Sequence, residues 1–303
     1  MLNYELKFIL EVLITNLKYF DGYFNSSYEQ LMDLVPFEII QSFLLNKDNE
    51  LMYYTGMHAL LIYEMEGKTY EVLKCLNDTK SFDFTNYYAL LFRLGLYKEL
   101  ESIMNEDEDC NGFFKYEILY NSGCLNVLEL SNYVDNLYKK QSIEIMQCHY
   151  ILAKAGHINK EKIQKLVVVN PYTNGLKQLM KAFIEEDESI VKKYYEDAIK
   201  NLEHIKYYYL EAILYYCKFL KISDPILYND KLNVGLRLSN EYKYWFLLHQ
   251  FSCLKNDEEK EFRQGDYPFF DIDVTQYMED IRQYIKRKNR NKVEKVKQFK
   301  KAF

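Results

Sequence analysis

A chain of 303 residues with 49% aliphatic and aromatic content can bury a sizeable core and is too apolar to be mainly disordered. Four prolines and ten glycines give too few turns for a sheet protein, which points to helices. The net charge of −6 is uneven: residues 281–303 hold ten Lys or Arg against one acid, Glu294, so an acidic body carries a basic C-terminal end. Six cysteines occur without a C-x-x-C pair, and Glu5 and Lys7 sit where a secretory leader would be apolar. Reduced thiols in a cytosolic protein are therefore expected. No apolar run reaches the ~18–20 residues of a membrane span, and Tyr207 to Leu220 is interrupted by Glu211 and Lys218. Thirty tyrosines beside abundant Lys and Asn read first as AT-rich coding bias.

In chain order, Leu2, Leu6, Ile9, Leu10, Leu13 and Leu17 fall at helical spacing and predict an amphipathic first helix. A turn follows over Asp21 to Ser27, and a second helix is expected from Ser27 until Pro36 stops or kinks it. From residue 49 the pattern becomes short helical hairpins. The expected pairs are 49–66 with 69–78 at Gly67, 84–94 with 96–105 at Gly95, and 113–122 with 126–139 at Gly123. A pair around Tyr150 turns at Gly156, another spans 172–186 and 189–202, and helices follow at 205–221, 225–240 and 241–255. The acidic stretch Asn256 to Glu261 and the turn signal Gly265-Asp266-Tyr267-Pro268 break the pattern. A last helix is expected from Val274 to Lys288, with Arg287 to Lys292 as a solvated extension.

Tyr150, Ile163, Leu166 and Pro171 sit where a ~34-residue tetratricopeptide unit places its first-helix aromatic, two second-helix contacts and closing proline. Val191, Tyr195 and Ala198 repeat the second-helix pattern. The fold expected is all-α, a right-handed superhelical solenoid of tetratricopeptide-like hairpins ending in a basic helix or tail. Its parts are an N-terminal helical cap (1–48), the repeats (49–255), and an acidic linker, helix and basic tail (256–303). The small residues usual at tight helix crossings are mostly replaced by Leu, Tyr or Met.

Phosphate-cradling glycine loops, H-E-x-x-H and G-x-S-x-G are all missing from the sequence. Cys148, His149 and His157 form the densest Cys/His group, but adjacent helical residues point ~100° apart and cannot easily share a metal. The acidic runs 106–109 and 185–188 fall at hairpin turns and have no central glycine for a calcium loop. No catalytic residue, cofactor or metal ligand is expected. The residues left for partner binding are Trp245, a possible interface anchor more often found in a core, and Arg287, Lys288, Arg290 and Lys292 of the tail. Such a basic segment suits RNA phosphates or anionic lipid. Val293, Val296 and Phe299 recur so that it could also dock as an amphipathic helix.

Residues 49 to 215 are similar in order and spacing to the tetratricopeptide subunit 2 family of the ER membrane protein complex. The matching stretches are Asn49 to Tyr54, Lys74-Cys75-Leu76, Gly123 to Asn126 with Leu130 to Val134, Asn170 to Asn174, Tyr194-Tyr195 with Ala198-Ile199, and Leu210-Glu211-Ala212. The family's tryptophans are missing at matching helices, and residues 255–303 and the first forty have no clear counterpart. The resemblance implies a non-catalytic scaffold on the cytosolic face of the ER, holding membrane-anchored protein subunits of an insertase. Two other readings remain open: a bacterial or phage peptide (pheromone) receptor with asparagines on its inner face, and an RNA-associated repeat protein using the basic tail.

Overall fold

The computed structural model describes residues 2–82, 87–104, 106, 112–137, 142–263 and 273–301. Every regular element among them is an α-helix. The first helices are α1 (Leu2–Phe20), α2 (Phe24–Leu34), α3 (Phe37–Leu45), α4 (Glu50–Met65), α5 (Thr69–Thr79) and α6 (Tyr87–Arg93). There follow α7 (Tyr97–Met104), α8 (Phe113–Asn121), α9 (Val127–Leu137), α10 (Ser142–Lys154), α11 (Lys160–Lys165) and α12 (Pro171–Ile184). The last are α13 (Glu188–Leu202), α14 (Lys206–Ser223), α15 (Pro225–Glu241), α16 (Trp245–Asn256) and α17 (Val274–Lys301).

Short-range chemistry sets these boundaries. Asn170 caps α12 by accepting the Thr173 N–H, Thr173 bonds back to the Asn170 N–H, and Pro171 occupies the first turn. Asp187 and Asp224 cap α13 and α15 in the same sense. At Gly67 the chain takes φ 90°, and the N–H groups of Gly67 and Lys68 return to the carbonyls of Glu64 and Tyr63. That left-handed closure satisfies carbonyls the helix leaves open, and it favours glycine. The same bond pair recurs at Gly95, Gly123 and Gly156, so the helix-ending turns fall where the sequence predicts, although α8 does not pack closely on α9 nor α10 on α11.

Most helices pack on the next, and several on the next but one: α3 on α5, α6 on α8, α8 on α10, α10 on α12, and α14 on α16. A stack of hairpins produces this near-neighbour pattern. Close crossings rely on glycine more than the sequence suggests. A Cβ added at Gly175 would lie 2.4 Å from Leu202, and one at Gly235 would lie 2.3 Å from Phe251. The terminal helix departs from the order and returns to the α5–α7 region. Tyr277 packs at a tilt on Phe82 with ring centres 5.7 Å apart, Lys80 pairs with Asp280 at 2.6 Å, and Arg282 reaches Ser102 and Glu106.

Four expectations change. Helix α2 begins at Phe24, three residues before Ser27. Helix α11 has only six residues, shorter than a tetratricopeptide second helix, and Leu166 packs from beyond its end. The last helix runs past the expected Lys288 to Lys301, so the basic segment Arg287 to Lys292 is helical, with Arg287 and Arg290 still exposed to solvent. In α1 the buried face is Ile9, Val12 and Tyr19, leaving Leu6, Leu10, Ile14 and Leu17 exposed. The aromatic side prevails because Tyr19 packs on Phe24 at 5.0 Å and donates to Glu66 at 2.8 Å, which leucines cannot match.

Gly235→Ala is expected to lower the unfolding free energy by about 1–3 kcal/mol in urea titrations, since the methyl must displace the Phe251 ring. Gly235→Ala combined with Phe251→Leu should recover part of that loss. Full stability in the single variant would contradict the close crossing.

Candidate interaction surfaces

Helix α14 is buried on nearly all sides, and polar groups from the earlier helices converge on it. From α6, Arg93 lies over the Tyr207 and Tyr208 rings at 5.3 and 5.9 Å and forms a buried ion pair with Glu64 of α4. From α8, Glu117 accepts the Tyr208 hydroxyl at 3.4 Å. From α10, Tyr150 donates to Glu211 at 2.9 Å and Lys154 pairs with the other oxygen at 2.9 Å. Tyr150, the repeat-type aromatic, is thus fixed by a specific partner as well as by packing. At the head of α14, the single Tyr19 hydroxyl proton is shared between Glu66 and the His204 carbonyl, the latter at 2.6 Å, while Glu66 also pairs with Lys206 at 3.4 Å.

Protonation in this interior follows burial. Desolvation raises the Glu117 carboxyl from its usual 4.5 to about 7, against the pull of Lys154 and Arg93. Burial lowers Lys154, but Glu211 and Glu117 outweigh it and hold the ammonium above its ordinary range. Burial also pushes the Cys148 thiol up and the neighbouring His149 down to about 4, so this pair stays neutral. Lys154 and Glu211 are thus paired as ions, while burial favours the neutral forms of Glu117, Cys148 and His149.

A cleft of about 740 Å³ lies between α14, α16 and residues 257–261, with His249 and Cys253 on its wall. Their 3.5 Å approach resembles a nucleophile–base pair, but His249 Nε2 lies 2.8 Å from the Lys260 carbonyl. A nitrogen donating its proton to that carbonyl cannot accept one from the thiol. Four of the cleft's charges are paired within its own wall, Lys221 to Asp257 and Lys260 to Glu258, both at 2.5 Å. Among the described residues, no group of three His, Cys, Asp or Glu could hold a metal, and no helix is long and apolar enough to cross a membrane.

The residues predicted for partner binding separate. Trp245 is 5% exposed and packs near Gly95, so it belongs to the core and is not a free anchor. Tyr277, Ile281 and Ile285 seat the first half of α17 on the body, which leaves Arg287 and Arg290 exposed and Lys288 half-buried. Lys292 lies in α17 with its side chain outside the described residues. Sequence reasoning missed the other surface, the outer stripe of α1, because a leucine stripe reads first as core. The signal available was a second apolar stripe, through Ile9, Val12 and Tyr19, on the same helix. Comparisons with protein-family models, characterised proteins and solved structures find no match.

The interior predicts a compensated pH response. Folded Glu117 keeps a proton that the unfolded chain releases between pH 4.5 and 7, so its contribution to stability falls as pH rises through that window. Folded His149 refuses a proton that the unfolded chain takes up between pH 6.5 and 4, so its contribution rises with pH there. The two slopes, each at most about 1.4 kcal/mol per pH unit, oppose one another. Urea titrations across this range should show stability rising more steeply with pH in Glu117→Gln than in the wild type. The slope should turn the other way in His149→Gln, and an unchanged slope in either would refute the assignment.

Proposed function

We propose that this chain is a non-catalytic protein–protein interaction scaffold, a superhelical stack of tetratricopeptide-like hairpins. The observation that carries the reading is the clamped basic helix. Ion pairs of Asp280 and Arg282 and the buried Tyr277, Ile281 and Ile285 hold α17 to the body, so Lys286, Arg287 and Arg290 are presented from a fixed rod. Fixed cations on an acidic body suit an acidic surface of a partner protein, which they would orient and capture by electrostatic steering.

The narrower reading makes this a cytosolic subunit at the ER face that holds membrane-anchored subunits of an insertase. It rests on the resemblance of residues 49–215. A peptide receptor would need an open inner groove, whereas the faces turned towards α14 are filled by Arg93, Glu117, Lys154 and Tyr172. Partner contacts therefore fall on outer surfaces.

The test is affinity purification of the tagged chain from detergent-solubilised cells, with the retained proteins quantified. Membrane proteins recovered in near-equal amounts, and lost from the triple variant Lys286→Glu, Arg287→Glu, Arg290→Glu, are the expected result. A chain that returns alone sinks the scaffold reading, and salt-sensitive recovery of RNA in place of protein moves the basic helix to nucleic acid.

A further inference from the structure

An end helix of a stacked array ordinarily turns a polar face outward. Helix α1 instead packs inward on α2 and α4 and exposes Leu6, Leu10, Ile14 and Leu17 at 50, 49, 49 and 66%. The apolar surface continues past the helix. Tyr23 is exposed, and Pro171 packs on Gly22, which brings the exposed Val167, Val168 and Val169 to the same end. Exposed apolar side chains gathered at one end of the molecule are the kind of surface that marks an interaction site.

The charges along one edge of the stripe indicate what covers it. Lys7, Glu11, Lys18 and Asp21 are accessible and read plus, minus, plus, minus along the chain. Read in reverse, the order is minus, plus, minus, plus, so the edge is complementary to itself when two copies run antiparallel. We propose that a second copy of this chain covers the stripe, the two α1 helices packing antiparallel about a two-fold axis beside Ile14.

In that register Glu11 meets Lys18 of the second copy, Lys7 meets Asp21, and symmetry repeats both pairs. Leu10 falls beside Leu17 of the second copy, Ile14 beside its own counterpart, and Leu6 beside the exposed Tyr23. One choice of register therefore satisfies both apolar and charged positions. The interface is isologous and closes at two copies. The exposed ion pairs fix orientation and register, while the stripe supplies the attraction. An anionic bilayer fits less well, because Glu11 and Asp21 line the same edge and residues 1–280 carry −15 once the basic end is set apart.

Sedimentation velocity of the full chain, from low micromolar to several hundred micromolar, tests the proposal. The wild type should pass from monomer to dimer, and Leu10→Glu with Ile14→Glu should remain monomeric. Since these side chains are already half exposed, circular dichroism and thermal melting should confirm that the variant is folded. Glu11→Lys or Lys18→Glu alone should weaken association about tenfold by placing like charges together twice. The two changes in one chain should restore it to within a few-fold. A wild type that stays monomeric throughout, a stripe variant that still dimerises, or a double swap no better than either single change would overturn the proposal. The Lys286→Glu, Arg287→Glu, Arg290→Glu variant should dimerise normally, which separates this result from the fate of the scaffold reading.

Discussion

Much of the structure depends on burying charge around α14. The charged Arg93, Lys154 and Glu211, with Glu117 whose burial favours the protonated form, come from four helices and are all withdrawn from water. An unpaired ion in such a place costs several kcal/mol, and breaking a buried pair costs about 3–5 kcal/mol. Each helix must therefore arrive at the position that completes its neighbour's pair. Glu211 satisfies Tyr150 and Lys154 together, while Arg93 is held by Glu64 beneath it and the Tyr207 ring beside it. Moving any one of these helices along its axis would separate a buried charge from its partner, at the cost of breaking a buried pair.

The same network decides where function can lie. Side chains of α6, α8 and α10 turn onto α14 and find their partners there. Two of the surfaces that remain among the described residues are of unlike kinds. Along α1 the surface is apolar with alternating charge at its edge, and along α17 it is basic and held out from the body. The first suits a partner of matched shape; the second suits one of opposite charge.

Helix positions and hairpin turns were largely legible in the sequence, because helical periodicity, capping Asn and Asp, and glycines at left-handed closures act within a few residues. Facing was less legible. Leu6, Leu10, Ile14 and Leu17 make a better apolar stripe than Ile9, Val12 and Tyr19, yet the second set is buried. The reason is long-range: the Tyr19 hydroxyl finds Glu66 and the His204 carbonyl, partners that no local pattern reveals. Arg93 and Glu117 were unreadable for the same reason, since each looks like a surface charge until its partners are placed. Trp245 was the reverse case, an aromatic considered as an anchor and found in the core.

Tyr19 links these two lessons. By docking on Glu66 and the entrance to α14, it fixes the rotation of α1 about its own axis. That rotation aims Leu10 and Ile14 away from the body, so the outer stripe follows from the interior hydrogen bond and is not an independent feature of the first helix. The charge order along the edge is aimed by the same constraint. The buried polar network that closes the inside of the molecule therefore also determines what its N-terminal end presents to the outside.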